Sequence, residues 1–220
     1  MWYKLKRILI YPDGVTEKQV YPAFEMEYQK VEYIQSSGTQ YINTLVNPTS
    51  STKVQTKIMV TGTSENWWPI YWVFYNFASN TRFCWWYENW WVWFWYGGNN
   101  GANNIVQVWM NTDITIEQYT SWWVSHNIAN WTDNSYSWAS FTAQNYPMFL
   151  FARNNTTSDI DRRLYLKMYY FKIYSWDTLT KYFVPCYRKS DNVIGMYDLV
   201  NDVFYTNSWT WTFTKWPDVN

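Results

Sequence analysis

Few side chains in this chain of 220 residues are of the kinds that make and break bonds. His126 is the only histidine, so a Ser-His-Asp or Cys-His device would have to be built on it. It stands in Ser125-His126-Asn127, which reads as a strand end or loop, and an ordinary hydrogen-bonded histidine is expected there. Cys84 and Cys186 lie 102 positions apart (186 − 84), and with one histidine they make no zinc spacing. They can pair, or both can sit in the core as small apolar residues, which is the simpler expectation. Glycoside hydrolysis needs two neighbouring carboxyl groups, one to donate a proton and the other to attack or to activate water. Glu65, Glu88 and Glu117 are isolated, and Asp159-Ile160-Asp161 runs into Arg162-Arg163 and reads as a charged loop. Gly97-Gly98-Asn99-Asn100-Gly101 lacks the Lys and Ser/Thr of a phosphate loop and reads as a hairpin tip. The expectation is no catalytic residue and no enzyme. Binding chemistry remains. Asn154, Asn155 and Asp159 offer oxygens of the type calcium takes, in a stretch that otherwise reads as polar loop; no other cofactor is indicated. Tyr71, Tyr75, Arg82 and Tyr87 fall in the aromatic middle of the chain, where they either line a ligand-facing sheet or fill the core.

The elements that must position these residues are strands. Residues 52–60 alternate, with Val54, Thr56, Ile58 and Val60 on one face and Lys53, Gln55 and Lys57 on the other, the pattern of a half-buried strand. Residues 105–110 make a short strand candidate and residues 164–174 a long, aromatic-rich one. Residues 181–184 follow and stop at Pro185, and 202–206 and 210–214 close the chain. Clusters of Asn, Ser, Thr and Asp at 47–51, 97–104 and 154–159 separate them. No segment keeps a 3.6-residue period for more than two turns, and no internal repeat is visible. Many short strands between regular turns predict an all-β sandwich. Residues 1–24, with the turn signal Tyr11-Pro12-Asp13-Gly14 and the pair Tyr21-Pro22, read as an N-terminal arm or small hairpin ahead of one domain at 25–220.

Lysine and arginine number 17, as do aspartate and glutamate, so the chain is neutral and lacks the basic surplus of a nucleic-acid binder. Near the start, only Ile8-Leu9-Ile10 separates Lys4-Leu5-Lys6-Arg7 from Pro12, far short of the roughly 7–15 apolar residues of a secretory leader. No stretch approaches the roughly 20 apolar residues of a membrane span. A mature or otherwise exported protein fits this, as does a component of a particle assembled in the cytoplasm.

The oddest feature is nineteen tryptophans against seven glycines. Nine of the tryptophans lie between Trp67 and Trp95. A turn-rich β protein should be rich in glycine, yet tryptophan stands where turns want it: Asn66-Trp67, Asn89-Trp90, Asn130-Trp131, Ser208-Trp209 and Lys215-Trp216-Pro217. Ten bulky residues forced to positive φ would cost ~10–20 kcal/mol, as much as a domain's whole margin. Two readings compete. In one, Trp91, Trp93 and Trp95, or Trp209, Trp211 and Phe213, alternate along strands and form an aromatic face able to stack on sugar rings. In the other, which the composition favours, the gene uses UGA for glycine, as some bacterial lineages do, and the codons have been read as tryptophan.

Two segments are familiar once glycine is substituted. Residues 31–44, VEYIQSSGTQYINT, resemble the opening "VEYIxSxGTQYIDT" of LamG-like, concanavalin A-like domains, common in bacterial surface proteins and in phage tail or virion proteins. Residues 183–201, FVPCYRKSDNVIGMYDLVN, resemble that family's "FxPCYRKSDNVIGLYDLVN", and residues 204–213 its "FYTNSGTGTF". The likeness covers roughly 25–217, with the middle, 60–160, alike in pattern only. The family has glycine at the positions of Trp209, Trp211 and Trp216. The resemblance implies a two-sheet antiparallel jelly roll without a defined reaction. Related glucanases carry Glu-x-Asp-x-Glu on one strand, which this chain lacks. A carbohydrate-binding module outside the cell, on a cell surface or a phage tail, is the implied function. Its partner would be a surface glycan or a neighbouring surface protein. The alternative is a structural or decoration domain of a virion or surface layer that contacts protein only.

Overall fold

A computed structural model of the chain describes residues 7–9, 18–20, 22–62, 68–73, 80–98, 103–137, 140–154 and 160–219. Two antiparallel sheets pack face to face as a jelly-roll sandwich, as the strand pattern predicts. The larger has eleven strands and the smaller eight. Thr52–Gly62 runs through the middle of the larger sheet, between Asp113–Ser121 and Tyr165–Ser175. The smaller sheet places Trp68–Val73, Arg82–Glu88, Trp91–Gly97 and Asn103–Gln107 side by side. One parallel bridge, Asn154 beside Val73, interrupts the antiparallel pattern.

Side-chain alternation decides what fills the core. Val54, Thr56, Ile58 and Val60 point inward and are buried, while Lys53, Gln55 and Lys57 face out. Leu166, Met168, Phe171 and Ile173 join them from the neighbouring strand, and Tyr71, Phe83, Trp85 and Phe94 meet them from the smaller sheet. On the other face of the smaller sheet, Trp72, Cys84, Trp86 and Trp95 form a separate cluster with Trp93 against it. Cys84 and Cys186 are both free and buried, in strands of different sheets, so they do not pair. Burial pushes both thiols up and keeps them protonated.

Three expectations need correction. The strand expected to stop at Pro185 runs through it, as Thr178–Arg188. Proline is tolerated because pairing on one side passes from Phe183, opposite Phe171, to Cys186, opposite Lys30. Pro185 falls in the gap, where no ladder partner needs its missing N–H. The strand expected at 105–110 lies earlier, at Asn103–Gln107. The last strand is Thr214–Asp218 rather than 210–214, because the preceding residues form a latch. Buried Gln40 accepts a hydrogen bond from the Ser37 amide (2.8 Å) and donates to the Thr212 carbonyl (2.8 Å). Asn207 accepts from the Tyr41 amide (2.9 Å) and donates to the carbonyls of Trp209, Thr210 and Trp211. Both side chains bond backbone groups of this stretch, and Gln40 is further held by the Ser36 and Ser37 hydroxyls, which keeps residues 207–213 out of any ladder. The two familiar segments therefore meet in space and brace each other.

At the N-terminus Arg7–Leu9 pairs with Lys18–Val20 as a small hairpin. Pro22–Glu27 is the one helix among the described residues, with proline at its first position, where a missing N–H costs nothing. The expected division at residue 24 falls inside this helix, and Phe24 packs on Val184, Cys186 and Tyr197 of the sandwich. No helix of the described residues is long and apolar enough to cross a membrane.

Candidate binding surface

The outward face of the larger sheet is a lattice of tyrosine and lysine. A bulge between Met168 and Tyr170 breaks the alternation of Tyr165–Ser175, so Tyr169 and Tyr170 are both part-exposed. Lys57 lies 4.4 Å from the centre of the Tyr169 ring and Lys167 lies 4.3 Å from that of Tyr33. Lys172 sits over Tyr182 at 4.6 Å, and Lys53 over Tyr119 at 4.9 Å. Carboxylates hold two of the ammonium groups: Lys53 pairs with Glu117 and Lys57 with Asp113, both at 2.6 Å.

Asp113 also accepts a hydrogen bond from the Tyr169 hydroxyl at 2.9 Å. Burial alone would raise the Asp113 carboxyl. Hydrogen bonds from Lys57 and Tyr169 and the charges of Lys57 and Lys167 outweigh it, so its pKa falls below the ordinary 3.8. Burial first, and the Asp113 bond second, push the Tyr169 hydroxyl up. A lowered carboxylate pKa stabilises the fold above its unfolded value and loses that contribution as pH falls through the folded one. Urea melts at pH 6 and pH 2 should show Asp113→Asn costing more stability at the higher pH, the difference narrowing as pH falls below 3.8. The effect should be under about 1 kcal/mol, because the pair is solvent-screened.

At one end of this face lies a cleft of about 630 Å³, lined by Ser51, Lys53, Tyr119, Thr120, Ser121 and Asp177, with Trp122 and Trp176 at its rim. Two hairpin tips form the rim. Ser121 pairs with Val124, leaving Trp122-Trp123 as a two-residue loop, and Ser175 pairs with Thr178, leaving Trp176-Asp177. Lys53 reaches over the Tyr119 ring, whose other neighbour is His126, stacked at 4.7 Å. His126 Nδ1 lies 2.9 Å from Asp133, so the lone histidine is hydrogen-bonded within the sheet. The cleft thus holds donors, acceptors and an aromatic ring in one place.

The residues singled out in the sequence lie elsewhere. Tyr71 and Tyr87 are core: the first donates to Gln118 and the second to the Val108 carbonyl, both at 2.9 Å. Arg82 is buried with its guanidinium 4.5 Å from the centre of the Trp95 ring. None of these three side chains is exposed to meet a ligand. The smaller sheet is covered on both faces, which turns its aromatic residues into packing. Tyr75 lies outside the described residues. Asn154 is buried and donates to the Pro147 carbonyl at 2.6 Å, so its side chain braces a loop. Asn155 and Asp159 lie outside the described residues. Among the described residues no three His, Cys, Asp or Glu side chains are grouped to hold a metal. Sequence reading missed Lys53, Tyr119 and Asp177. The outward position of Lys53 was visible in the alternation, but Trp122-Trp123 and Trp176-Asp177 do not read as turns, so the convergence of their hairpins was hidden.

No family model matches the chain, and no curated protein sequence matches it.

Proposed function

We propose that the chain is a non-catalytic, LamG-like binding module that holds carbohydrate in the cleft between the two hairpin tips, at a cell or virion surface. The cleft is the observation that carries this reading. A sugar presents a C–H face that packs on a ring and a rim of hydroxyls that both donate and accept. The cleft offers the edge of the Tyr119 ring, whose faces are taken by Lys53 and His126, with the Lys53 ammonium, the Asp177 carboxylate and the hydroxyls of Ser51 and Ser121. The carboxylate of Glu117, next to Lys53 of the lining, is tied to that ammonium, which supports binding over hydrolysis.

Shallow sugar sites bind weakly, so dissociation constants near 1 mM, about −4 kcal/mol, are expected. A glycan array followed by titration of the best oligosaccharide tests the proposal. Tyr119→Ala and Lys53→Ala should each weaken binding roughly tenfold, about 1.4 kcal/mol. Absence of binding to any sugar at millimolar concentration sinks the proposal. Capture of a neighbouring coat or tail protein in that case assigns the alternative, a decoration domain contacting protein only.

A further inference from the structure

We propose that the polypeptide made in its own cell carries glycine at the positions of Trp90, Trp122, Trp123, Trp131, Trp176 and Trp211, specified by UGA codons. The backbone makes the argument. Glu88 pairs with Trp91, Ser121 with Val124, and Ala129 with Thr132, so three hairpins close through two-residue loops. In each loop both central residues have positive φ: Asn89 and Trp90 at 49° and 69°, Trp122 and Trp123 at 47° and 64°, Asn130 and Trp131 at 45° and 73°. That pairing of angles belongs to the type I′ turn, whose preferred sequences are Asn-Gly and Gly-Gly. Restoring glycine yields Asn-Gly, Gly-Gly and Asn-Gly. In the fourth loop, Trp176-Asp177, only the first residue is at positive φ, 52°, the pattern of type II′, which takes glycine first.

Thirteen residues other than glycine have positive φ among those described. Five are Asn or Asp, which tolerate the left-handed region because their short side chains bond locally. Six are tryptophan, and only Leu45 and Phe151 remain. Tyrosine is a sharp control: the chain has 21, and none of those described is at positive φ. Bulky aromatic residues share the same Cβ clash, so tryptophans placed by their own chemistry should avoid this region as tyrosines do. Nor do contacts offset the strain, since Trp122 and Trp131 are 92% and 95% exposed. Trp209 and Trp216 are not at positive φ, and the geometry makes no claim on them.

The substitution also redraws the cleft. The side chains of Trp122 and Trp176 leave its lining, and Ser51, Lys53, Tyr119, Thr120, Ser121 and Asp177 remain. Glycine at 122 and 123 also leaves the tip of that hairpin without apolar side chains.

Reading the six codons and sequencing tip-spanning peptides from the protein of its natural host by mass spectrometry tests the proposal. UGA codons with glycine masses are expected at all six; UGG codons or tryptophan masses overturn it. A recombinant chain with Trp→Gly at all six positions provides an independent arm. It should be more soluble and melt at higher temperature than the chain with six tryptophans. A lower melting temperature, or failure to fold where the tryptophan form folds, overturns it equally.

Discussion

Replacing Asp198 with alanine should unfold a large fraction of this protein's stability, about 3–5 kcal/mol in urea or thermal melts. Asp198 is completely buried, yet its carboxylate is fully engaged. One oxygen accepts from the amides of Tyr182 (3.0 Å) and Val200 (3.1 Å). The other meets the Asn201 carboxamide at 2.7 Å and the Lys181 ammonium at 3.0 Å. Lys181 in turn donates to the Tyr205 hydroxyl at 2.8 Å. Alanine would take the acceptor from two part-buried backbone N–H groups and from the Asn201 carboxamide, and a group left without a partner costs about 1–3 kcal/mol. Lys181 is part-exposed and keeps some solvent, which holds the total within the stated range. Asp198→Asn keeps one acceptor oxygen but turns an NH2 toward Lys181 or Asn201, so about 1–3 kcal/mol is expected. Equal stability of wild type and Asp198→Ala would show that these bonds do not form.

The second large effect has the opposite sign. Trp131→Gly should stabilise the protein, and Trp131→Ala should not. Relief of the left-handed conformation yields ~1–2 kcal/mol. The extra freedom glycine gives the unfolded chain takes back ~0.5–1 kcal/mol. The net is ~0.5–1 kcal/mol per site, and alanine retains the Cβ that causes the strain. Trp131 is the cleanest site because it is almost wholly exposed and has little packing to lose. Trp90 is less clean, since its ring lies 5.3 Å from that of Trp109. All six changes together should add ~3–6 kcal/mol, with deviation from additivity only at the adjacent pair Trp122 and Trp123. For a chain of this size that raises the melting temperature by on the order of 10 °C. A combined variant no more stable than its parent would mean the tips are not strained.

Both effects bear on how the proposed binding at the cleft is tested. Asp198 ends the strand Ile194–Asp198 and does not line the cleft, so its loss should lower the folded fraction without altering the affinity of what remains folded. Two of the six changes, at Trp122 and Trp176, alter the cleft directly, which makes the Tyr119 and Lys53 variants best compared in both backgrounds.

The division between chain and fold is clearest residue by residue. The alternation of Val54, Thr56, Ile58 and Val60 against Lys53, Gln55 and Lys57 was enough to orient the central strand, because period two leaves only one set of faces. The all-β sandwich and the buried, unpaired thiols were likewise expected from local pattern. The positions of Tyr71, Arg82 and Tyr87 were not, because an aromatic strand covered on one face and an aromatic strand covered on both look alike along the chain. The smaller sheet is of the second kind, and its tyrosines became core. Pro185 marked a break in local reading, and only the exchange of strand partners beside it shows why a strand can pass through. Tryptophan in place of turn residues concealed the tips at 122–123 and 176–177, and with them the cleft where Lys53, Tyr119 and Asp177 converge from separate strands. The anomalous tryptophan count was plain from the sequence alone. Which tryptophans matter was decided by the tertiary structure, since φ at a hairpin tip is set by the register and twist of the strands that the tip must join.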